Sequence, residues 1–402
     1  MSAADSRADD TANDKRHFET KAVHCHPADP ATGAVSAPIY QTATFKLPAP
    51  GDESGYVYTR SANPTRDLLQ NALAKLENGS QGLAFASGLA ATNTIMNLLQ
   101  TGDHLVAGDD LYGGTLRQFE NVHKPNSGIE FSYVDGRNPQ NVADAITERT
   151  KIIWLETPTN PLLKTYDISA ISTIARKHKA LLVVDNTFAT PHLQRPLDLG
   201  ADIVVHSLTK YLAGHSDTVG GALVVKDADL GEKLAYFQNA VGAVMAPFDC
   251  WLAVRGIKTL PVRLDRQCAN AQEIVKFLQG VSDIKGVLYP GIDGAPLPNG
   301  MKSGGAMVSF HLDGDFEAVK RFVMNTSLFT LAESLGGVES LINHPASMTH
   351  ASIPRETRLK FGIDDGLVRL SVGVEHVTDL IADLQQALNA YQSHRKSAVT
   401  SA

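Results

Sequence analysis

A lysine can do covalent chemistry only where its surroundings strip the proton from its amine, so the first question is where this chain places lysines beside a ligand pocket. Ser207-Leu208-Thr209-Lys210 sets one such lysine after the apolar run at 203–205, flanked by two hydroxyls. Ser207 and Thr209 are two apart, so along an extended backbone they face the same way and can donate to one phosphate. Upstream, Val183-Val184-Asp185-Asn186 puts an acid just past another apolar run. Ligands of open α/β sheets collect at the carboxyl ends of strands, where such an acid can pair with a cation. Ser87-Gly88-Leu89-Ala90-Ala91 follows a third run and opens a helical stretch, and the bare N–H groups of a helix start favour an anion. Singly, each feature has an ordinary reading: a solvated lysine, a turn or cap aspartate, a strand–glycine–helix turn that binds nothing. Together they ask for one ligand carrying a phosphate for Gly88, Leu89, Ser207 and Thr209, a protonatable ring nitrogen for Asp185, and an aldehyde for Lys210. Pyridoxal 5'-phosphate (PLP) meets each requirement.

Positioning such groups needs strand ends that converge. Apolar runs at 83–86, 104–107, 129–134, 151–155, 180–184, 203–205 and 222–225 read as strands. Helical stretches separate them. One runs from Asn63-Pro64 to Asn78-Gly79, with Leu68, Leu69, Ala72, Leu73 and Leu76 on one face, and another is capped by Asp167, with Ile168, Ile171 and Ile174 on one face. Alternating strands and helices imply a mostly parallel sheet covered on both sides. Beyond residue 255 the order changes. A helix through Pro261, a Gly/Pro-rich stretch at 289–305, strands at 307–312 and 367–374, and helices at 316–324 and 377–391 imply a smaller α+β domain.

The bulk numbers agree with an ordinary globular enzyme. The chain has 402 residues, 43% hydrophobic and 20% charged, with net charge −7. That balance offers no basic footprint for a nucleic acid. No stretch reaches the ~18 apolar residues of a membrane span. Neither GxGxxG nor GxxxxGK[ST] occurs, so dinucleotide and P-loop sites lack their fingerprints. Three cysteines, Cys25, Cys250 and Cys268, make no disulfide framework and point to the cytoplasm. His24-Cys25-His26 is no metal site, because chain neighbours diverge and no second ligand pair follows. Residues 1–18 are polar without an apolar core, and read as a disordered tail and not a signal peptide.

Longer motifs then carry a resemblance: GYVYTRSANPTR (55–66), AFASGLAAT (84–92), DDLYGGT (109–115), WLETPTNP (154–161), VVDNTF (183–188), HSLTKYLAGHSD (206–217) and LAESLGGVESLINHPASMTHAS (331–352). From about residue 20 to 392 the chain resembles the Cys/Met-metabolism family of fold-type I PLP-dependent, transferase-like enzymes, its cystathionine γ-lyase branch most closely. The resemblance implies that Lys210 carries the cofactor as a Schiff base and shuttles protons, that Asp185 holds the pyridinium, and that Tyr112 stacks on the ring. It implies that Tyr58 and Arg60 reach a neighbouring subunit's cofactor phosphate, making a homotetramer (a dimer of dimers) with shared sites. Asn160, Ser334 and Arg369 would bind the substrate carboxylate, while Arg117 and Glu333 would line the distal pocket. Tyr112 or Tyr58 would handle the leaving-group proton. The implied layout is a tail at 1–18, an arm at 19–62 serving the neighbour, a PLP-binding domain at 63–255 and a small domain at 256–402.

The implied reaction is γ-elimination of L-cystathionine to L-cysteine, 2-oxobutanoate and ammonia. A γ-synthase joining L-cysteine to O-succinyl- or O-acetylhomoserine shares every motif, and a PLP-binding regulatory protein without turnover is a third reading. Val57 stands before Tyr58 where γ-lyases often carry an acid, which leaves Glu333 to meet a second ammonium. The 292–306 segment lacks the family's HPQH stretch.

Overall fold

A computed structural model of the chain describes residues 15–52, 54–351 and 353–400. Seven strands, β1 (Gln81–Phe85), β2 (His104–Gly108), β3 (Glu130–Val134), β4 (Thr150–Glu156), β5 (Leu181–Asp185), β6 (Ile203–Ser207) and β7 (Gly221–Val225), form a sheet in the order β1-β7-β6-β5-β4-β2-β3. β2 to β6 are parallel, and only β7 runs against its neighbours β1 and β6. Both faces are buried, as continuous apolar strands require. Ile153, Leu155, Leu182, Val184 and Val204 enter one core cluster, and Ile152, Trp154, Val183, Ile203 and Val205 enter another. The α/β reading of the sequence is therefore correct, with a mostly parallel sheet flanked by helices.

Local signals set the strand–helix junctions. Asn63 caps the helix Pro64–Leu76 by accepting from the Thr65 and Arg66 amides, and Asn78, at φ 56°, takes the left-handed turn beyond its end. Asp167 caps Ile168–His178 in the same manner. Just past the helix Pro64–Leu76, buried Glu77 accepts from Asn186 at 3.1 Å and pairs with buried His206 at 2.6 Å, tying β6 to the turn after β5.

A second sheet of five strands, β8 (Ile284–Leu288), β9 (Met307–Leu312), β10 (Thr330–Leu331), β11 (Leu341–Asn343) and β12 (Leu367–Ser371), has the order β10-β11-β12-β9-β8. The helices Leu260–Gln279, Phe316–Met324 and Val377–Thr400 cover it through Ile274, Leu278, Phe322, Leu384 and Leu388. The sequence pattern finds β9 and β12 but not β8, β10 or β11. Of these, β10 and β11 are two and three residues long, too short for alternation to register. The 289–305 stretch forms two short 3-10 turns, Ile292–Gly294 and Pro298–Gly300.

At the N-terminus the expected tail falls largely outside the described residues. Where the chain is described, Phe18 departs from the tail reading. It is buried, opens the helix Phe18–Val23 and packs on the His192 ring at 5.0 Å, so the last residue assigned to the tail is an anchor. Among the described residues no helix is long and apolar enough to cross a membrane.

Candidate active site

Where the carboxyl ends of β4, β5 and β6 face the small sheet, a cavity of about 350 Å3 opens. Its lining includes Gly88, Leu89, Tyr112, Asn160, Asp185, Ser207, Thr209, Lys210, Glu333, Ser334 and Arg369. Residues 281 positions apart in the chain thus meet because the parallel strands all end on one side and the small sheet turns β12 toward them.

The anion end is built from the turn after β1. Ser87 caps the helix Gly88–Met96, its Oγ accepting from the Ala90 amide at 3.1 Å. The Gly88 and Leu89 amides, in the first helical turn, have no carbonyl to meet within the helix. A side chain at Gly88 would come within 3.2 Å of Ser207 Cβ, so glycine lets this turn close on the end of β6 without displacing it. Of the two hydroxyls, Thr209 Oγ1 accepts from the Gly220 amide at 3.0 Å, which orients it, while Ser207 is anchored by its backbone, donating to Thr187 Oγ1 at 2.9 Å.

Asp185 closes β5 at the cavity floor. Its Oδ1 accepts from the Thr187 amide at 3.0 Å and the Thr187 hydroxyl at 2.5 Å. Burial raises its pKa against those bonds, so a cation delivered to its free oxygen would be strongly held. Thr187 escapes the sequence reading, although an aspartate two residues before a threonine amide is a recognisable Asx turn.

Lys210 lies across the cavity, its Nζ donating to Ser334 Oγ at 2.7 Å. Burial, reinforced by the Arg369 cation, lowers its pKa to about 8. Arg369 sits mid-strand on β12, fully buried. Its Nη1 donates to Asn160 Oδ1 at 2.7 Å and its Nη2 to the Ser334 carbonyl at 3.1 Å, while Nε has no partner. A buried guanidinium with a spare donor and no carboxylate is poised for an anionic ligand. Ser334 serves both cations at a φ of 91°, a conformation that non-glycine residues hold only when their surroundings impose it.

Tyr112 opens the short helix Gly113–Gln118, and its half-exposed ring lies over Gly114, where a side chain would meet the ring at 2.4 Å. The Tyr112 amide donates to Glu156 Oε2 at 2.9 Å. Glu156 ends β4, lines the cavity and is buried, yet the sequence reading passes over it inside WLETPTNP.

Three expected residues stand apart from the lining. Arg117 is exposed and is not among the residues lining the cavity, whereas Thr115 of the same helix lines it, about 200° away around the helix axis. Tyr58 and Arg60 also lie outside the lining of their own chain's cavity. Arg60 donates from Nη1 to the Asn239 carbonyl at 2.7 Å and to Oδ1 at 2.9 Å, with its guanidinium 5.7 Å from the Tyr58 ring.

The donor set fits PLP. Bare helix-start amides and hydroxyls suit the phosphate, a buried carboxyl the ring nitrogen, and a lysine depressed to about 8 the aldehyde. Fold and site together define a fold-type I PLP-dependent enzyme. The family model for "Cys/Met metabolism PLP-dependent enzyme" matches residues 19–389. The chain belongs to this family and is by class a PLP-dependent carbon–sulfur lyase. It is 50% identical to a cystathionine β-lyase of Coxiella burnetii over 94% of this chain and 99% of the relative. It is 51% identical to a cystathionine γ-lyase of Bacillus subtilis over 90% of this chain and 96% of the relative. Among solved structures it is similar to cystathionine γ-synthase from Xanthomonas oryzae pv. oryzae in complex with aminoacrylate and cysteine. That match has a TM-score of 0.91 and 45% identity, covering 94% of this chain and 99% of the other.

Proposed function

We propose that this enzyme cleaves L-cystathionine by γ-elimination, releasing L-cysteine, 2-oxobutanoate and ammonia. One observation carries the α-proton removal on which this reading depends: the amine of Lys210, depressed to about 8, faces a cavity that also holds a carboxylate clamp, Arg369 with Asn160. PLP supplies, when bound, an electron sink that acidifies the carbons next to the substrate's amino group. Arg369 grips the substrate carboxylate with its guanidinium, and Asn160 keeps the fork from rotating. With the α-carbon so fixed, the neutral Lys210 amine takes its proton, and its flexible stem then lets it serve the adjacent β-carbon. Asp185 keeps the ring nitrogen protonated, and Thr187 keeps Asp185 aimed. Tyr112, or a Tyr58 from a neighbour, donates a proton to the departing sulfur. Glu333, at the exposed rim of the same cavity, meets the ammonium of cystathionine's second amino-acid head.

The assembly is part of this reading. Tyr58 and Arg60 complete a neighbour's phosphate site in a homotetramer built as a dimer of dimers, and their absence from their own cavity's lining supports this. Three free, buried cysteines support a reducing, cytoplasmic setting.

A second reading, β-elimination to homocysteine, pyruvate and ammonia, is favoured by the name of the Coxiella burnetii relative. Lys210 and the carboxylate clamp serve it equally, since it needs only the α-proton removed. The decisive assay identifies the keto acid made from L-cystathionine by purified holoenzyme. 2-Oxobutanoate supports the proposal and pyruvate replaces it with β-elimination. Cystathionine formed from O-succinyl- or O-acetylhomoserine plus cysteine, with no keto acid from cystathionine, replaces it with synthesis.

A further inference from the structure

Two carboxyls, and not one, underlie the ring end of the cavity. Glu156 and Asp185 are Cα partners across adjacent parallel strands, β4 and β5, at the last position of each. Paired positions in a sheet present their side chains to the same face, and both residues line the same cavity. Their partners differ. Among the described residues Asp185 accepts hydrogen bonds from Thr187, with His206 also favouring its anion, and it keeps an oxygen for the ring nitrogen. Glu156 is committed to the backbone: Oε2 accepts from the Tyr112 amide at 2.9 Å, and the Asn160 amide also faces it. Among the described residues no lysine or arginine pairs with it at salt-bridge distance, and a third carboxyl, buried Asp110 with Oδ1 unpartnered, lies close enough to repel it.

We propose that Glu156 is a positioning residue that works as a neutral acid: its carboxyl ties the ring-stacking Tyr112 turn and the Asn160 loop to the sheet, and by carrying a proton it leaves Asp185 the sole anion at the ring nitrogen. The inference rests on the cavity being the cofactor site and is independent of which sulfur substrate is used. Two adjacent anions in a buried site repel, and one of them keeps its proton. The groups facing Glu156 all bear on which: Asp185 from β5, Asp110 from the turn after β2, Tyr112 and Tyr166 from the loops, and Arg369 and Lys210 from across the cavity. Asp185 has two hydrogen-bond donors and the cofactor's cation, so Asp185 ionises. Burial and the Asp185 charge push Glu156 well above the usual carboxylate range. In its neutral form the glutamic acid offers the same carbonyl to the Tyr112 amide that a glutamine would.

The test compares holoenzyme with Glu156→Gln and Glu156→Ala variants. Infrared difference spectra, wild type minus Glu156→Gln, should contain a protonated-carboxyl stretch at neutral pH. Glu156→Gln should keep kcat within about threefold and leave unchanged the pH at which the bound cofactor's visible absorption shifts. Glu156→Ala should weaken cofactor retention by about tenfold, the effect of losing one hydrogen bond to a buried amide. Absence of the protonated band, or a Glu156→Gln variant as impaired as Glu156→Ala, overturns the proposal by showing that Glu156 acts as an anion. Cofactor retention and kcat unchanged in Glu156→Ala overturn the positioning role. If Glu156→Ala does not fold, the infrared band and the Glu156→Gln titration still decide. Failure of the underlying reading would look different, since wild type itself would then show no cofactor absorption.

Discussion

The floor of the cavity and its rim are made in different ways. On the floor, Asp185 ends β5, Arg369 stands mid-strand on β12, and Lys210 and Asn160 lie in the turns just past β6 and β4, each committed to partners within the chain. On the rim, Glu333 and Tyr112 are half-exposed or more, Arg117 is exposed and outside the lining, and Tyr58 and Arg60 contact their own surface. A site needs a rigid floor because the reacting atoms must hold their geometry to within fractions of an ångström. Its rim can be completed by loops, a neighbour or the substrate. The chemistry common to the family therefore resides in the floor, and the choice of sulfur substrate in the rim.

Substitutions should separate the two regions by size of effect. The largest belongs to Lys210→Ala, which should lose turnover by several orders of magnitude while keeping the fold, as judged by circular dichroism. Borohydride reduction of wild-type holoenzyme should fix the cofactor on the Lys210 peptide, and a label on any other lysine would remove Lys210 from the floor.

Arg369→Lys keeps the charge but loses the fork. It should raise KM for every amino-acid substrate by about ten- to a hundredfold, the value of a charged hydrogen bond. A change confined to cystathionine would move Arg369 from the general floor to the specific rim.

Shared sites predict a partial recovery. When Arg60→Ala and Lys210→Ala chains are dissociated and mixed, statistical pairing gives half mixed dimers, each with one intact site, so about a quarter of wild-type activity should return. No recovery in verified mixed oligomers would leave the rim within one chain.

Glu333→Ala should lower kcat/KM for cystathionine about tenfold more than for homocysteine, which lacks the second head, with the loss mainly in KM. Equal losses on both would make Glu333 a structural residue and remove the rim's claim to select cystathionine.

The smallest expected effect is a shift in pH. Burial and Arg369 both disfavour the charged Lys210 amine, so its neutral form gains from about pH 8 instead of near the ordinary lysine value. Reconstitution of apoenzyme with PLP should therefore quicken as pH rises through about 8, and Arg369→Leu should move that midpoint upward. An unchanged midpoint would mean that burial alone sets it.

What the sequence determined by itself was everything local. The apolar runs, the caps at Asn63 and Asp167, the bare turn at Gly88 and the lysine three residues past a strand end are all written within windows of a few residues, because backbone sterics and hydrogen bonding act over such windows. So the α/β class, the cofactor and the floor residues Lys210 and Asp185 were legible. What only the tertiary structure decided depends on register and direction between distant segments. Glu156 becomes a neighbour of Asp185 only once β4 and β5 align. Ser334 reaches Lys210 across 124 positions. Strand pairing is set by the burial of whole faces, a property of the assembled core that no short stretch of sequence contains.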